Sequence, residues 1–354
     1  MNYKIHIIFL LGLMQFSCIH KNEKPQTLHK KAEWIRHAFT SIENNEFPHI
    51  KAIAWWQERW ENEDGSISDL RINSSPESLE AFQEMISSSL YLTSLNFNNN
   101  KLVPSAGGIY FGAFPDFGGP EDNVTTQRIE NFENLAHKNI AWAYFSNNWY
   151  NHIHFPLQEV QTIHQTGRTP FIRMMARTTL DENTADPNYS LQNIIDGQFD
   201  TELREWFRQA AQMPFPLLIE FGTEVNGQWF PWNGIHNGGG QTTAYGDPVL
   251  PDGPERFVDA YRHLVDLSRQ EGAQNLTWFF HIDAQGQPEE PWNDFENYYP
   301  GDDYVDWIGI SVYGAVTPDD EYNEFSTKLR PVYDRILILT SKPIAIVETG
   351  IIEY

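Results

Sequence analysis

The chain has 354 residues, and its 48 acidic against 24 basic residues give a formal net charge of −24 at pH 7. This excess of negative charge repels phosphate backbones, which excludes duplex DNA and RNA as expected partners. Hydrophobic residues form 40% of the chain, which excludes a mostly disordered protein, and a lone cysteine excludes a disulfide framework. The 12 Trp, 15 Tyr and 23 Phe exceed what a core of this size requires and predict an aromatic-lined cleft.

Residues 1–17 have the pattern of a processing signal. Lys4 precedes an apolar run at 5–16, which is shorter than the roughly 20 apolar residues of a membrane-spanning helix. Cys18 then stands where a bacterial lipoprotein signal, which this segment resembles, is cut. The resemblance implies that Cys18 carries the lipid and that the polar residues 18–29 form a tether. Ordinary secretion and a cysteine buried in the fold are the alternatives.

Residues 30–97 predict a helix, a strand and a second helix. An amphipathic run occupies 31–42, and a strand-like run follows at Ile50–Trp56. The second helix is predicted at 75–91, because Ser75 is a favourable N-cap residue and Pro76 is favourable at the first helical position.

From Gly107 onward, short β-rich runs alternate with longer segments of helical periodicity, which is typical of βα units around a parallel sheet. Seven strands are predicted, at 109–114, 140–145, 171–175, 217–221, 276–281, 307–312 and 344–347. Helices are predicted between them at 124–137, 157–166, 202–213, 254–271 and 324–339.

Seven such strands are one short of a (β/α)8 TIM barrel, in which eight parallel strands close on themselves. We predict that residues 30–97 supply the missing strand, so that residues 30–354 form a single barrel. The chain would then be circularly permuted: residues 30–97 provide helix seven, strand eight and helix eight, and residues 98–354 provide strands one to seven. Strands one and eight are neighbours in a closed barrel, so such a cut costs little. The alternative is a truncated barrel preceded by an unrelated domain.

Two glutamates lie at strand ends, where barrel enzymes carry their chemistry. Glu224 follows the fourth of the seven predicted strands, and Glu348 follows the seventh. Two carboxylates on opposite sides of a pocket are what retaining glycoside hydrolysis requires, with about 5–5.5 Å between them. A single glutamate near a strand end is more often a surface charge, but the joint placement favours a glycosidase.

With these residues in place, the chain resembles glycoside hydrolase family 26, the β-mannanases and their relatives. The resemblance covers residues 30–354 once the permutation is undone. It rests on GTEVNGQWFPW at 222–232, YYPGDDYVDWIGISVYG at 298–314, VETG at 347–350 and AIAWW at 52–56. It implies that Glu224 is the acid/base and that Glu348 is the nucleophile.

The same resemblance implies the residues around the substrate. Tyr313 would hydrogen-bond the nucleophile, and Trp229 and Trp232 would stack on sugar rings. A tryptophan of the displaced strand, Trp55 or Trp56, would lie beneath the cleaved sugar.

Three further residues are candidates for substrate contact. Asn226 stands two residues beyond Glu224, and Trp149 lies in the loop after the second of the seven strands. His281 ends the fifth strand and could reach a sugar hydroxyl, with a core or surface histidine as the alternative.

The chain departs from the family pattern at two positions. Thr223 stands where the family commonly has histidine, which leaves the preference for mannose less certain than the catalysis. Glu220 stands where a basic residue is common, and it shares strand parity with Glu224, so a second inward carboxylate would raise the pKa of the acid/base. Arg173 is the expected partner of Glu220, with an inert ion pair in the core as the alternative.

Neither a cofactor nor a metal is predicted. The 12 histidines include no H-E-x-x-H motif, and there is no cysteine cluster. The glycine-rich segment 233–246 lacks the spacing of a phosphate-binding loop and is interpreted as a wall of the cleft. In the acidic loop 62–69, a solvated turn is favoured over a calcium site.

These features predict a retaining endo-β-glycanase that cleaves the β-1,4-mannosidic bonds of mannan-type polysaccharides as a monomer. A β-glucanase or β-xylanase on the same barrel is one alternative. A non-catalytic glycan-binding surface lipoprotein is another. The expected location is the bacterial cell envelope, lipid-anchored at the outer membrane on its periplasmic or cell-surface side.

Overall fold

The computed structural model describes residues 30–62 and 64–353. The predicted signal, Cys18 and the tether lie outside the described residues and stay predictions. Within the described ranges, no helix combines the length and apolar character needed to cross a bilayer.

Eight parallel strands form a closed barrel, as predicted. Numbered in chain order, they are β1 Ile50–Trp56, β2 Ile109–Phe114, β3 Trp142–Asn148, β4 Thr169–Met175, β5 Leu217–Phe221, β6 Leu276–Asp283, β7 Trp307–Tyr313 and β8 Ile344–Gly350. The N-terminal strand β1 closes the ring, because it pairs in parallel with both β2 and β8. The strands follow one another around the barrel in the same order as along the chain. A circularly permuted barrel and an unpermuted one therefore have the same arrangement of neighbouring strands. The circular permutation therefore stays a prediction.

Helices surround this barrel. In the described residues they are α1 Lys30–Glu43, α2 Pro76–Ile86, α3 Thr126–Ala136, α4 Leu157–Gln165, α5 Leu191–Ile195, α6 Asp200–Ala211, α7 Asp252–Gln270 and α8 Phe325–Leu339. Sequence periodicity predicts all of them except the short α5. The predicted N-cap of α2 is present: Ser75 Oγ accepts a hydrogen bond from the Ser78 amide.

A short strand, Tyr91–Leu92, pairs in parallel with the start of β2, and two small antiparallel pairs complete the described strands. Arg59–Glu61 pairs with Ile67–Asp69 directly after β1, and Phe97–Asn98 pairs with Lys101–Leu102 before β2. The first of these hairpins follows the carboxyl end of β1, and it therefore adds a wall at the barrel mouth.

Neighbouring tryptophans of β1 face opposite sides of the barrel wall, as side chains of a strand must. Trp55 packs edge-on against Trp34 of α1, with 6.5 Å between ring centroids, in the layer between strand and helices. Trp56 instead stacks on Phe114 at 4.1 Å, and the Arg173 guanidinium lies 5.0 Å from its ring. Of the two tryptophans, Trp56 is therefore the one inside the barrel.

The later strands run further than the sequence pattern predicts. The sequence pattern predicts strand ends at polar residues, but β7 and β8 remain paired through Ser311 with Glu348 and through Tyr313 with Gly350. Likewise β6 continues past His281 to Asp283. The pairing of neighbouring strands thus extends through polar positions, and it holds Glu348 and His281 within the sheet at the barrel mouth.

Candidate active site

Glu224 lies in the turn that follows β5. Gly222 leaves the strand with φ +73°, where a Cβ would also come within 2.3 Å of the Phe257 ring. Glu224 itself has φ +46°, a left-handed conformation that costs free energy in a non-glycine residue and is found at functional sites. The Trp229 indole N–H donates to Glu224 Oε2 at 2.7 Å. The turn and this bond fix a carboxyl group that is only 7% exposed.

Glu348 lies within β8, three strands further round the ring. The Tyr313 hydroxyl donates to Glu348 Oε2 at 2.7 Å. Arg173 Nη2 approaches the other oxygen, Oε1, at 3.4 Å. Glu348 is therefore a buried carboxyl group with one neutral donor and one cation beside it.

The two carboxyl groups meet across the mouth of the barrel. An oxygen of Glu224, an oxygen of Glu348 and a ring nitrogen of His281 all lie within 4.8 Å of one another. Retaining glycosidases hold their carboxyl groups about 5–5.5 Å apart, whereas inverting enzymes need about 6.5–9.5 Å to admit a water molecule. The separation is too short for the inverting geometry and is close to the retaining one.

Burial raises the pKa of both carboxyl groups to about 7. At Glu224 the nearby Asp283 adds to the increase, while at Glu348 the Arg173 guanidinium opposes it. Because the two groups are so close, they titrate as a pair and cannot both ionise easily. Arg173 lies 3.4 Å from Glu348 and forms no ion pair with Glu224 among the described residues, so its position favours the charge on Glu348 and the proton on Glu224.

Glu220 and His281 form a buried ion pair beneath the two glutamates. His281 Nδ1 lies 3.1 Å from Glu220 Oε2, and both side chains are fully buried. The hydroxyls of Tyr144 and Thr223 also donate to Glu220. Burial alone would raise the pKa of Glu220, but the charge and hydrogen bond of His281, the charge of Arg173 and the hydrogen bond from Thr223 lower it below the usual range. Conversely, the Glu220 charge raises the pKa of His281 despite burial.

Arg173 connects these carboxylates from β4. Its Nη1 donates to Glu121 at 2.7 Å, Nη2 lies 3.4 Å from Glu348, and Nε lies 3.6 Å from Glu220. The expected contact with Glu220 is thus the longest of the three. Since Arg173 also contacts Glu348, its charge acts on the pair of Glu224 and Glu348 as well as on the barrel core.

A cleft of about 930 Å³ opens above this cluster. Its aromatic lining consists of Trp56, Trp60, Trp229, Phe230 and Tyr313. Its acidic lining consists of Glu58, Glu121, Glu182, Glu224, Asp283, Asp319, Asp320, Glu321 and Glu348. Arg173 and Lys328 are the two basic side chains among these described lining residues. The cleft therefore combines apolar platforms with a surface rich in carboxyl groups.

Four of the predicted contact residues do not line this cleft. His281 is fully buried and both of its ring nitrogens face protein partners, which corresponds to the alternative of a core histidine. Trp232 is buried and donates its indole N–H to the Thr223 carbonyl at 2.7 Å. Trp149 packs between Tyr189 and Phe221 in the core. The Asn226 amide binds both the N–H and the C=O of Asp283, which ties the turn after β5 to the end of β6. The positions of Trp232, Trp149 and Asn226 allow these side chains to stabilise the loops at the barrel mouth.

Several cleft residues are not predicted from the sequence, among them Glu58, Trp60, Glu121, Phe230 and Ser311. Trp60 and Glu58 follow β1, and the alternation of WWQERW at 55–60 could have indicated that Trp56, Glu58 and Trp60 share one face. Phe230 stacks on Trp232, within the run that carries Glu224. Glu121 comes from the loop after β2, where the sequence has no periodic pattern from which the direction of a side chain could be predicted. Burial and the nearby Glu121 charge raise the pKa of Glu58 to about 8.

The cluster of Glu224, Glu348 and His281 is compact enough to be considered for a metal ion. However, both ring nitrogens of His281 already have partners, since Nδ1 faces Glu220 and Nε2 lies 2.8 Å from Ser311 Oγ. The ring thus has no free lone pair to offer to a metal.

The fold and the site together define a class: (β/α)8 barrels with a pair of buried carboxyl groups at the carboxyl ends of their strands. Residues 169–334 match the model of glycosyl hydrolase family 26. The matched segment includes Glu224 and ends before Glu348.

Individual relatives are distant. Endoglucanase H of Acetivibrio thermocellus is 23% identical over 223 residues, which are 62% of this chain and 22% of that protein. The mannan endo-1,4-beta-mannosidase of Bacillus subtilis is 26% identical over 190 residues, 52% of this chain and 42% of that protein. A solved Bacillus subtilis mannanase has a TM-score of 0.45 at 16% identity, over 63% of this chain and 65% of that one. The chain therefore spans less than half the length of these two curated relatives.

Proposed function

We propose that this protein is a retaining endo-β-glycanase that hydrolyses β-1,4-mannosidic bonds in mannan-type polysaccharides. The observation that carries the proposal is the pair of buried carboxyl groups, within 4.8 Å of each other and in different electrostatic surroundings. The match to a glycosidase family over 169–334 and the aromatic lining of the cleft support the same class.

In the first step, Glu348 attacks the anomeric carbon while Glu224 donates its proton to the leaving glycosidic oxygen. The C–O bond to the leaving sugar breaks as the bond to Glu348 forms. Arg173 and Tyr313 hold Glu348 as a carboxylate aimed at the substrate. In the second step Glu224, now a carboxylate, removes a proton from water, whose oxygen displaces Glu348. Two inversions restore the β-configuration.

The cleft favours a neutral polysaccharide. Trp56, Trp60 and Trp229 offer aromatic faces, which suit the C–H surfaces of pyranose rings. The many carboxylates around them repel a chain that carries uronic acids. Mannan-type polymers meet both conditions.

A β-glucanase or β-xylanase is the second candidate. Thr223 favours it, because its hydroxyl is bound to Glu220 and offers no imidazole to the cleavage site. A similar segment in an endoglucanase is a further point in its favour. A non-catalytic glycan-binding protein would retain the tryptophans but would not need both Glu224 and Glu348 in this geometry.

The test is reducing-sugar release from a panel of mannans, mixed-linkage glucans and β-1,3- and β-1,4-xylans by the chain from residue 18 onward. We expect the largest release from mannan, as oligosaccharides whose anomeric proton signal starts in the β-form. Release from a glucan or xylan but not from mannan would replace the substrate and keep the class. An initial α-product contradicts the retaining mechanism. Binding without release from any polymer would leave a glycan-binding protein.

We further propose that Cys18 is lipidated and holds the enzyme at the cell envelope. The basis is the sequence pattern of residues 1–18 alone. Labelling cells with an alkyne fatty acid should tag the wild-type chain in the membrane fraction. Cys18→Ser should lose the tag and appear in the soluble fraction. An untagged wild-type chain in the soluble fraction would favour ordinary secretion.

A further inference from the structure

A continuous line of polar side chains runs from Glu220 through His281 and Ser311 to Glu224. His281 Nδ1 lies 3.1 Å from Glu220 Oε2, and His281 Nε2 lies 2.8 Å from Ser311 Oγ. A nitrogen of the same His281 ring lies within 4.8 Å of an oxygen of Glu224, and Ser311 lines the same cleft as Glu224. The Ser311 hydroxyl therefore lies next to the Glu224 carboxyl group and lowers its pKa. Glu220, His281 and Ser311 are all fully buried, so water does not compete for these bonds.

The protonation state of His281 decides which way Ser311 can point. Because Nδ1 faces the Glu220 carboxylate, that nitrogen carries a proton. If the ring is neutral, Nε2 has a lone pair and accepts the only hydroxyl hydrogen of Ser311, which then has none for Glu224. If the ring is an imidazolium, Nε2–H donates to Ser311 Oγ. The serine hydrogen is then free for Glu224.

The surroundings favour the imidazolium. Glu220 is fixed as a carboxylate because the hydroxyls of Tyr144 and Thr223 donate to it. The charged and titratable groups around the ring are Glu220 and Glu224 of β5 and its turn, Glu348 of β8, Asp283 of β6, Arg173 of β4 and Tyr144 of β3. Four of these six are carboxyl groups. Burial lowers the pKa of His281, but the charges of Glu220, Glu348 and Glu224 raise it above its usual value.

We propose that Glu220, His281 and Ser311 are positioning residues: Glu220 keeps His281 as an imidazolium, which directs the Ser311 hydroxyl hydrogen towards Glu224. The proposal rests on the proposed role of Glu224 as acid/base. It assigns to the buried Glu220–His281 pair a function beyond filling the barrel core.

This arrangement acts at the moment when Glu224 becomes charged. In the first step the proton of Glu224 goes to the leaving oxygen, and the new carboxylate is met by two donors, Ser311 and Trp229. In the second step the proton from water returns to Glu224. No proton travels along the line, since His281 and Ser311 keep theirs throughout.

Ser311→Ala tests the proposal on the glycan that the wild type cleaves best. Wild-type activity falls at high pH because Glu224 loses its proton. Removing the serine donor destabilises the Glu224 carboxylate and should therefore raise the pKa of Glu224. The alkaline limb of kcat/KM should then move to higher pH by about one pH unit. Ser311→Thr, which keeps a hydroxyl, should retain the wild-type limb. Ser268→Ala, which removes a buried hydroxyl of α7 bonded to Val265, is the matched control and should also leave the limb in place. An unmoved limb in Ser311→Ala overturns the proposal.

Glu220→Gln tests the distant end of the line. It should move the limb in the same direction, and the double variant with Ser311→Ala should match Glu220→Gln alone, because both changes remove one effect. Additive shifts of the alkaline limb would mean that Glu220 and Ser311 act independently on Glu224, and they would overturn the proposal. If Glu220→Gln fails to fold, the comparison of Ser311→Ala with Ser311→Thr decides.

A second readout separates this proposal from the proposed function. The ¹⁵N shifts of the His281 ring should report an imidazolium at pH 7 in the wild type, and a neutral ring there overturns the proposal whatever the enzyme does. Failure of every polysaccharide in the panel would instead overturn the glycanase activity, while the ring still reports its charge.

Discussion

Glu348→Ala is expected to lower kcat by about four orders of magnitude or more, because it removes the group that forms the covalent intermediate. Polysaccharide binding should persist, since the aromatic platforms of the cleft are unchanged. With an activated aryl β-glycoside, added azide should enter the space left by the side chain and attack the anomeric carbon. One displacement with loss of the aryl oxide gives the α-glycosyl azide, which NMR identifies.

Glu58→Ala is the matched control for this experiment. Glu58 is another buried carboxyl group of the same cleft, bonded to the Trp56 indole N–H at 2.7 Å. Its removal should cost far less activity and yield no azide product. Near-normal turnover in Glu348→Ala, or a β-azide, would remove Glu348 from the role of nucleophile.

Glu224→Gln is expected to lower turnover of polysaccharide by about 10²–10⁴-fold, which is the usual contribution of general acid–base catalysis. An aryl glycoside with a good leaving group needs no proton, so its first step should remain fast. The glycosyl-enzyme should then accumulate and give a burst of aryl oxide. Azide should rescue the second step and yield the β-glycosyl azide, the opposite anomer from the Glu348 variant.

The pH profile gives an independent check on Glu224. Its pKa is raised to about 7, and the first step requires it protonated, so wild-type activity falls as the pH rises through that pKa. Glutamine cannot ionise, and the alkaline limb should disappear on the activated substrate. The acidic limb, where Glu348 gains a proton, should remain but move to lower pH, because the Glu224 charge no longer raises the pKa of Glu348. An alkaline limb that survives in Glu224→Gln would mean that another group donates the proton.

The alternation of strand and helix patterns was sufficient to predict the barrel and the strands that carry Glu224 and Glu348. The contact between Tyr313 and Glu348, which is present at 2.7 Å, was implied by the family resemblance instead. The barrel and its strand ends depend on periodicity and on the rule that chemistry lies at the carboxyl ends of strands. Both are local in the chain.

The directions of loop side chains were not predictable in the same way. Three candidate contact residues follow predicted strand ends in the sequence, yet their side chains contact other protein groups instead of the cleft: Trp149, Trp232 and Asn226. Glu121 reaches Arg173 only because the loop after β2 turns back through a left-handed residue. Such contacts join residues tens of positions apart, and they depend on how the loops pack.

Closure of the ring by β1 has a kinetic consequence. Ile50 pairs with Ile344, so the last seam of the barrel joins residues 344 − 50 = 294 positions apart. Loop closure over such a distance is slow compared with the formation of neighbouring βα units, and it cannot occur until β8 has been synthesised. Until then β1 and the strands paired to it expose a sheet edge, which is the part of a folding chain most prone to aggregation. Pairing at this seam leaves the native barrel without a free edge. Its closure is therefore the folding step at which a nascent chain is most in need of a chaperone.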